Sequence, residues 1–209
     1  MGGDYYDVLP VGAGGADKPH LLCVADISGK GVSASLLMAN IQATLRAVVT
    51  QDLPLPDLAS RTNDLLWAST PPNKYATAFF ARYDPVTGDC EYVNCGHCDG
   101  IVLRASGDVQ MLTTTGLPVG LFPKRPFEQA TFSLGPGDTL LLYSDGVSEA
   151  NDKDYNEFSV ERVVASLRAA AAEPGEKILD RLIEDIDAFA AGAPQFDDIT
   201  MMVVKRLAP

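Results

Sequence analysis

The sequence predicts a layered α+β domain in which antiparallel sheets carry helices on their outer faces. Two observations predict it. The apolar segments run in the order strands, two helices, a strand meander, two helices, strand, which is not a βαβ alternation. Clusters of Gly, Pro and Asp separate the strand-like runs at short intervals. Three apolar runs also carry a carboxylate at one end: 21–29 (LLCVADISG) with Asp26, 140–149 (LLLYSDGVSE) with Asp145, and 196–204 (FDDITMMVV), which Asp197 and Asp198 open.

In chain order, residues 5–11 read as a strand and 12–17 (GAGGAD) as a hairpin loop; no helix follows it, so it is no phosphate cradle. Residues 20–27 are rich in β-formers and form the next strand. The turn 28–31 (SGKG) lacks the upstream glycine of a P-loop. A helix is predicted over 32–51, because Leu37, Ile41, Leu45 and Val48 recur on one face. Two prolines at 54 and 56 break it, and a second helix is predicted over 57–67 with Asp57 as N-cap. A meander follows: strands at 75–83 and 90–94 across the turn DPVTGD, then 100–105 and 109–112 across SGD. Residues 115–123 are a loop, and strands 127–134 and 139–144 are expected to pair across GPGD. Helices are predicted over 160–172 and 177–190, the latter with Leu179, Leu182, Ile183, Ile186 and Phe189 at helical spacing. The last strand covers 199–206.

With 209 residues, the expectation is one domain with a sizeable core. The formal charge is 16 − 28 = −12, which argues against nucleic acid or an anionic membrane as partner and suits cations or a basic protein surface. The start lacks the basic-then-apolar pattern of a secretory signal, and no apolar run approaches the roughly 20 residues that span a bilayer. Four cysteines do not make a disulfide scaffold, so a cytoplasmic protein is expected. The string Cys95-Gly96-His97-Cys98 matches a disulfide-isomerase active site, but that chemistry needs a helix after the first cysteine, and strand-like runs flank this one.

Only two histidines are present, His20 and His97, so a histidine-based zinc site is not expected. Carboxylates and carbonyls suit hard ions, Mg²⁺ or Mn²⁺. A carboxylate at the end of a buried run is costly unless it is paired, hydrogen-bonded or bound to metal. Two such ions can hold a bridging hydroxide that attacks phosphorus and can offset charge on the phosphoryl oxygens. The alternative is that these aspartates are turn residues and caps.

GGDYYD, VADISGKGVSA, YATAFFARYDPVTG, YVNCGH, GLPVGL, PGDTLLLYSDGVSEA and FDDIT occur in this order. Each is weak alone. Together they resemble the metal-dependent protein phosphatases (PPM, type 2C) in the bacterial SpoIIE/RsbU-like branch, from Gly2 to about Val204. The resemblance implies an α-β-β-α four-layer sandwich, two antiparallel sheets flanked by paired helices. It also implies hydrolysis of phosphoserine or phosphothreonine on a protein with Mn²⁺ or Mg²⁺, as two ions. Asp26 resembles the aspartate that bridges the metals, and the Ile27 carbonyl the main-chain ligand beside it. Asp145 and Asp197 resemble ligands of one metal. Asp4 resembles the first-motif acid that binds metal directly or through water. Asp198 and Asp7 are further acids, read as ligands or as groups that order water and backbone. Gly29, Gly31 and Gly146 are read as turn formers near the metals. The branch has NAGHxP where this chain has Asn94-Cys95-Gly96-His97-Cys98-Asp99. His97 is therefore read either as a proton donor or as a residue that stabilises its turn. No arginine is evident for the substrate phosphate.

The substrate that the resemblance implies is a phosphorylated STAS-type anti-anti-sigma factor. It also implies a sensor or receiver domain upstream, with this chain a catalytic domain cut from a longer regulator. Two other readings stay open at this point: a non-catalytic or partner-activated signalling module of the same fold, and a hydrolase of small phosphoesters.

Overall fold

The computed structural model describes residues 3–12, 15, 17–29, 31–71 and 74–207, without the side chains of 32 and 33. Parts of the predicted GAGGAD loop and Lys30 of SGKG lie outside them. The described chain forms two compact units, one holding residues up to His97 together with Thr113–Ser133, the other Cys98–Leu112 and Leu134 onward.

The first unit is built on a five-stranded antiparallel sheet in the order β1-β2-β3-β4-β7. Its strands are β1 (Tyr5–Pro10), β2 (His20–Ile27), β3 (Ala76–Tyr83), β4 (Asp89–Cys95) and β7 (Ala130–Ser133). Strand β2 covers the residues predicted for it. Helices α1 (Val32–Val48) and α2 (Leu55–Ser69) supply Leu37, Ile41, Leu45, Leu55, Leu58 and Leu66 to a core shared with Leu21, Cys23, Phe80 and Val93. The predicted 32–51 helix tightens into a 3-10 turn at Val49–Gln51 and stops at Asp52, whose φ of 47° is left-handed.

Asp57 does not cap α2. The helix begins at Leu55 after Pro54, Pro56 sits in its first turn, and the Asp57 N–H bonds the Pro54 carbonyl at 3.0 Å. Proline fits there because the first-turn N–H groups have no intrahelical partner to lose.

The second unit has a four-stranded antiparallel sheet in the order β6-β5-β8-β9. Its strands are β5 (Gly100–Leu103), β6 (Val109–Leu112), β8 (Thr139–Tyr143) and β9 (Met201–Lys205). Helices α4 (Ser159–Ala169) and α5 (Gly175–Ala190) bury Val163, Leu167, Ile178, Leu182 and Ile186 against Ile101, Leu103, Leu141 and Tyr143. A one-turn helix, α3 (Asp145–Ser148), follows β8 directly.

The expected pairing of 127–134 with 139–144 does not occur. Strand β7 pairs with β4, Cys90 opposite Phe132, whereas β8 pairs with β5 and β9. The GPGD turn passes the chain from one sheet to the other. Asp138 explains why: its carboxylate accepts from the Ala105 N–H at 2.8 Å and the Gly135 N–H at 3.0 Å, and it ion-pairs with Arg104 at 2.8 Å. The turn is thereby tied to the end of β5, which delivers β8 to that strand.

Candidate functional site

Each unit sets up a cluster of the predicted acids. In the first, β2 ends at Asp26 and Ile27, and β1 pairs alongside with Tyr5 opposite Ala25, so Asp4 lies just beyond that pair. Gly3 is packed so closely that a Cβ would meet the Ile27 carbonyl oxygen at 2.7 Å and Asp26 Oδ1 at 3.0 Å. Any side chain here would push the Asp4 segment away from Asp26. The Oδ2 atom of Asp4 is itself buried.

Beyond Asp26 the chain turns. The Ser28 N–H bonds the Tyr75 carbonyl at 2.9 Å, Ser28 Oγ accepts from the Tyr75 N–H at 3.0 Å, and Lys74 Nζ donates to the Ser28 carbonyl at 3.1 Å. Gly29 and Gly31 have φ of 97° and 83°, as the turn reading predicted.

Asp7 is accounted for without a metal. It takes Arg46 Nη2 at 2.7 Å, the Tyr5 hydroxyl at 2.9 Å and the Val8 N–H at 2.9 Å. His97 is buried in the turn after β4. Its N–H bonds Asn94 Oδ1 at 2.8 Å, and its Nδ1 lies 2.8 Å from Thr77 Oγ1. Thr77 is the cross-strand partner of Asp26, so the two side chains share a sheet face.

Residues 95–98 form a turn between strands with no helix after Cys95, and burial pushes the Cys95 thiol well up and the Cys98 thiol up to about 12. Neither favours a reactive thiolate.

In the second unit, Asp145 opens α3 immediately after β8, and Asp197 and Asp198 precede β9. Ser144, fully buried, joins the two segments. Its Oγ donates to the Asp198 carbonyl at 3.2 Å and accepts from the Thr200 N–H at 3.1 Å, while its own N–H bonds the Thr200 carbonyl at 3.0 Å. Gly146 completes the contact, since a Cβ there would overlap the Asp198 carbonyl oxygen. Its role is close approach, not the turn geometry expected. Asp197 Oδ1 accepts the Asp198 N–H at 2.9 Å, and Gln195 Nε2 donates to the Asp197 carbonyl at 2.7 Å.

Glu149, which the sequence reading passed over, belongs to the same neighbourhood. Burial raises its carboxyl pKa first, and the charges of Asp145, Glu157 and Asp197 raise it further. Glu149 and Asp197 also line a cavity of about 160 Å³ together with Asp187, Ile186 and Phe196. The missed residues were Lys74, Ser144 and Glu149. For Glu149 a signal existed, a carboxylate four residues after Asp145; for the other two none did.

Among the described residues, no three Asp, Glu, His or Cys side chains stand close enough together to hold a metal ion by themselves. The donors nonetheless suit hard divalent ions: carboxylates and a main-chain carbonyl, held by glycine contacts and with like charges that a cation would relieve.

The family model described as Stage II sporulation protein E (SpoIIE) matches residues 16–207. Protein IcfG of Synechocystis sp. is 27% identical over 99% of this chain and 36% of its own length. Phosphoserine phosphatase RsbU of Bacillus subtilis is 24% identical over 99% of this chain and 60% of its own length. The chain thus spans between a third and three-fifths of these two relatives. Among solved structures, the RsbU and RsbW domains of Rv1364c from Mycobacterium tuberculosis superpose with a TM-score of 0.82 at 25% identity, over 100% of this chain and 57% of that one. The two antiparallel sheets with their helices are therefore the fold expected from the sequence. Among the described residues, no helix is long and apolar enough to cross a membrane.

Proposed function

The chain belongs to the SpoIIE family, and on that premise we propose that it is a metal-dependent serine/threonine phosphoprotein phosphatase. The observation that carries this reading is the pair of glycine contacts: Gly3 seats the Asp4 segment against Asp26 and the Ile27 carbonyl, and Gly146 seats Asp145 against Asp197 and Asp198. Close backbone approach at the acid-bearing ends of strands suits residues selected to hold ions, and turn-capping aspartates do not need it.

In this reading Asp4, Asp26, the Ile27 carbonyl, Asp145 and Asp197 are ligands of two Mn²⁺ or Mg²⁺ ions, with Asp198 the remaining acid of the set. When bound, the ions supply the Lewis acidity that makes water nucleophilic at neutral pH and offsets charge on the phosphoryl oxygens. The chain's own contribution is to fix the carboxylates. Ser144 and Gly146 hold Asp145 to the β9 segment, and Lys74 and Ser28 hold the turn after Asp26.

The substrate we assign is a phosphorylated STAS-type anti-anti-sigma factor in bacterial partner switching. The name of RsbU as a phosphoserine phosphatase, and the joining of RsbU and RsbW domains in one solved relative, support it. The larger size of the relatives supports a sensor or receiver domain working with this one. Partner activation is a second reading that one observation favours: Leu36 on α1 and Leu65 on α2 are exposed, apolar surface available to a regulator.

The test is phosphate release from an aryl phosphate and from a phosphorylated STAS protein, with Mn²⁺ or with chelator, for wild type and Asp26→Asn. Turnover that needs Mn²⁺, vanishes in the variant and is far faster on the phosphoprotein is the expected result. An Asp26→Asn variant with wild-type rates overturns the assignment. If neither substrate is turned over, a calorimetric Mn²⁺ titration tells a partner-dependent enzyme, which binds the ion, from a binding module, which does not.

A further inference from the structure

The second unit carries another cavity, of about 560 Å³, whose lining is opposite in sign to the chain as a whole. Arg104, Arg168, Lys205 and Arg206 line it, and none of its described lining residues is acidic. These are 4 of the 16 basic residues in a chain of net charge −12. Chance scatter over the surface would interleave such cations with the more numerous carboxylates.

The cations arrive from three separate elements: the end of β5, helix α4, and the end of β9. Three are steadied by main-chain carbonyls. Arg168 Nε donates to Gly107 O at 3.3 Å, Arg206 Nη1 to Leu134 O at 2.7 Å, and Lys205 Nζ to Glu173 O at 2.7 Å and to Ala171 O. A carbonyl orients a cation without cancelling its charge. The cations that line the cavity therefore keep their charge on its wall, which an anion in the cavity would complement. Arg104 differs, being held by the Asp138 carboxylate. Fixing the heads in the folded chain also means that little side-chain entropy is lost when a ligand enters. Arg168, on the exposed face of α4, gives only its Nε–H to the described protein and keeps its terminal amino groups for a ligand.

The cavity lies at the far end of the sheet from Asp145. Strand β8 runs from Thr139, beside the cavity residue Gly137, to Tyr143, beside Asp145. Strand β9 runs antiparallel, with Lys205 opposite Thr139 and Met201 opposite Tyr143. Five strand residues separate the two ends, roughly 17 Å. The basic cavity is therefore distinct from the acids at the start of α3.

We propose that this cavity binds an organic polyphosphate, of the size and charge of a nucleoside diphosphate. Separated cations on three elements suit linked phosphoryl groups better than one, because guanidinium forks and an ammonium can each take a different oxygen. The volume falls within the range of small-molecule sites. Its remaining wall is apolar, from Leu103, Ala171, Ala172 and Leu207, which suits the organic part of such a ligand. The proposal is independent of the phosphatase reading.

Calorimetric titration of the whole chain with ADP, in buffer with chelator to exclude metal-bridged binding, tests it. Saturable binding is expected, and it should persist unchanged in Asp26→Asn. Arg168→Gln, an exposed change on α4, should weaken it by at least about tenfold, the loss of one charge-assisted contact. Lys205→Met should weaken it similarly, and affinity should fall with salt. Absence of binding up to millimolar ADP, or equal affinity in wild type and Arg168→Gln, overturns the proposal. So does pyrophosphate binding as tightly as ADP, which would remove the role of the apolar wall. A glutamate-rich peptide that binds where ADP does not would assign the cavity to an acidic protein segment instead.

Discussion

Removing one hydroxyl, by Ser144→Ala, should damage both the second unit and its acids. Ser144 Oγ is fully buried and makes two bonds, donating to the Asp198 carbonyl and accepting from the Thr200 N–H. Alanine fits the space but offers neither. Withdrawing the acceptor of a partly buried amide costs about 1–3 kcal/mol, and the second bond adds about 1 kcal/mol, giving about 2–4 kcal/mol in all. For a chain of this size that corresponds to a fall in Tm of roughly 5–15 °C. Urea unfolding of wild type and variant gives the free-energy difference. Mn²⁺ titration gives the second readout, because Asp145 and the Asp197–Asp198 segment lose the link that sets their spacing, and the apparent Kd should rise. A Ser144→Ala protein within about 0.5 kcal/mol of wild type, with unaltered Mn²⁺ affinity, would refute the reasoning.

The other predictions concern His97 and Asp138. His97→Gln removes the ring contact with Thr77 and keeps the backbone bond to Asn94, so turnover should fall less than about tenfold with an unchanged pH profile; a loss of about 10²-fold or more with a displaced basic limb would instead make His97 a proton donor. Burial pushes the Asp138 carboxyl upward, but hydrogen bonds from Arg104, Ala105 and Gly135, with the Arg104 charge, outweigh it and hold the group below its usual range. A depressed pKa stabilises the fold above the unfolded value of about 3.9, and the contribution is lost as pH falls through the lower folded value. Asp138→Asn should therefore be less stable at neutral pH and lose less stability below about pH 4, as read by urea midpoints across that range.

Much of the fold was legible because local pattern and tertiary role agree. The residues of β2 are apolar and β-forming, are flanked by turn residues, and occupy a central strand. The α1 stripe of Leu37, Ile41 and Leu45 is the stripe that reaches the core. Pairing was less legible. Gly135-Pro136-Gly137-Asp138 has hairpin composition, yet Asp138 bonds to Arg104 and Ala105, more than 30 residues earlier. A local turn signal states where the chain bends and not which strand receives it. The start of α2 was misplaced because an aspartate N-cap competes with a proline-bearing first turn, and the buried Leu55 decides between them.

The acids show the same division. Asp26, Asp145, Asp197 and Asp198 could be picked out because each breaks or opens an apolar run, a property of neighbouring residues alone. Ser144 could not, since its partner Thr200 is 56 residues away and serine next to aspartate is common in turns. Nor could the separation of charge within the second unit. Composition fixes a net charge of −12 but says nothing of where the cations collect. The antiparallel register of β8 and β9 decides that. With Tyr143 opposite Met201 and Thr139 opposite Lys205, the acids of both strands meet at one end and Lys205 and Arg206 at the other. A slip of one residue would turn the side chains of β9 to the opposite face, burying some that now reach solvent and exposing Met202. The same register that buries the apolar residues of β8 therefore places the second unit's candidate metal ligands and the basic cavity at opposite ends of one sheet.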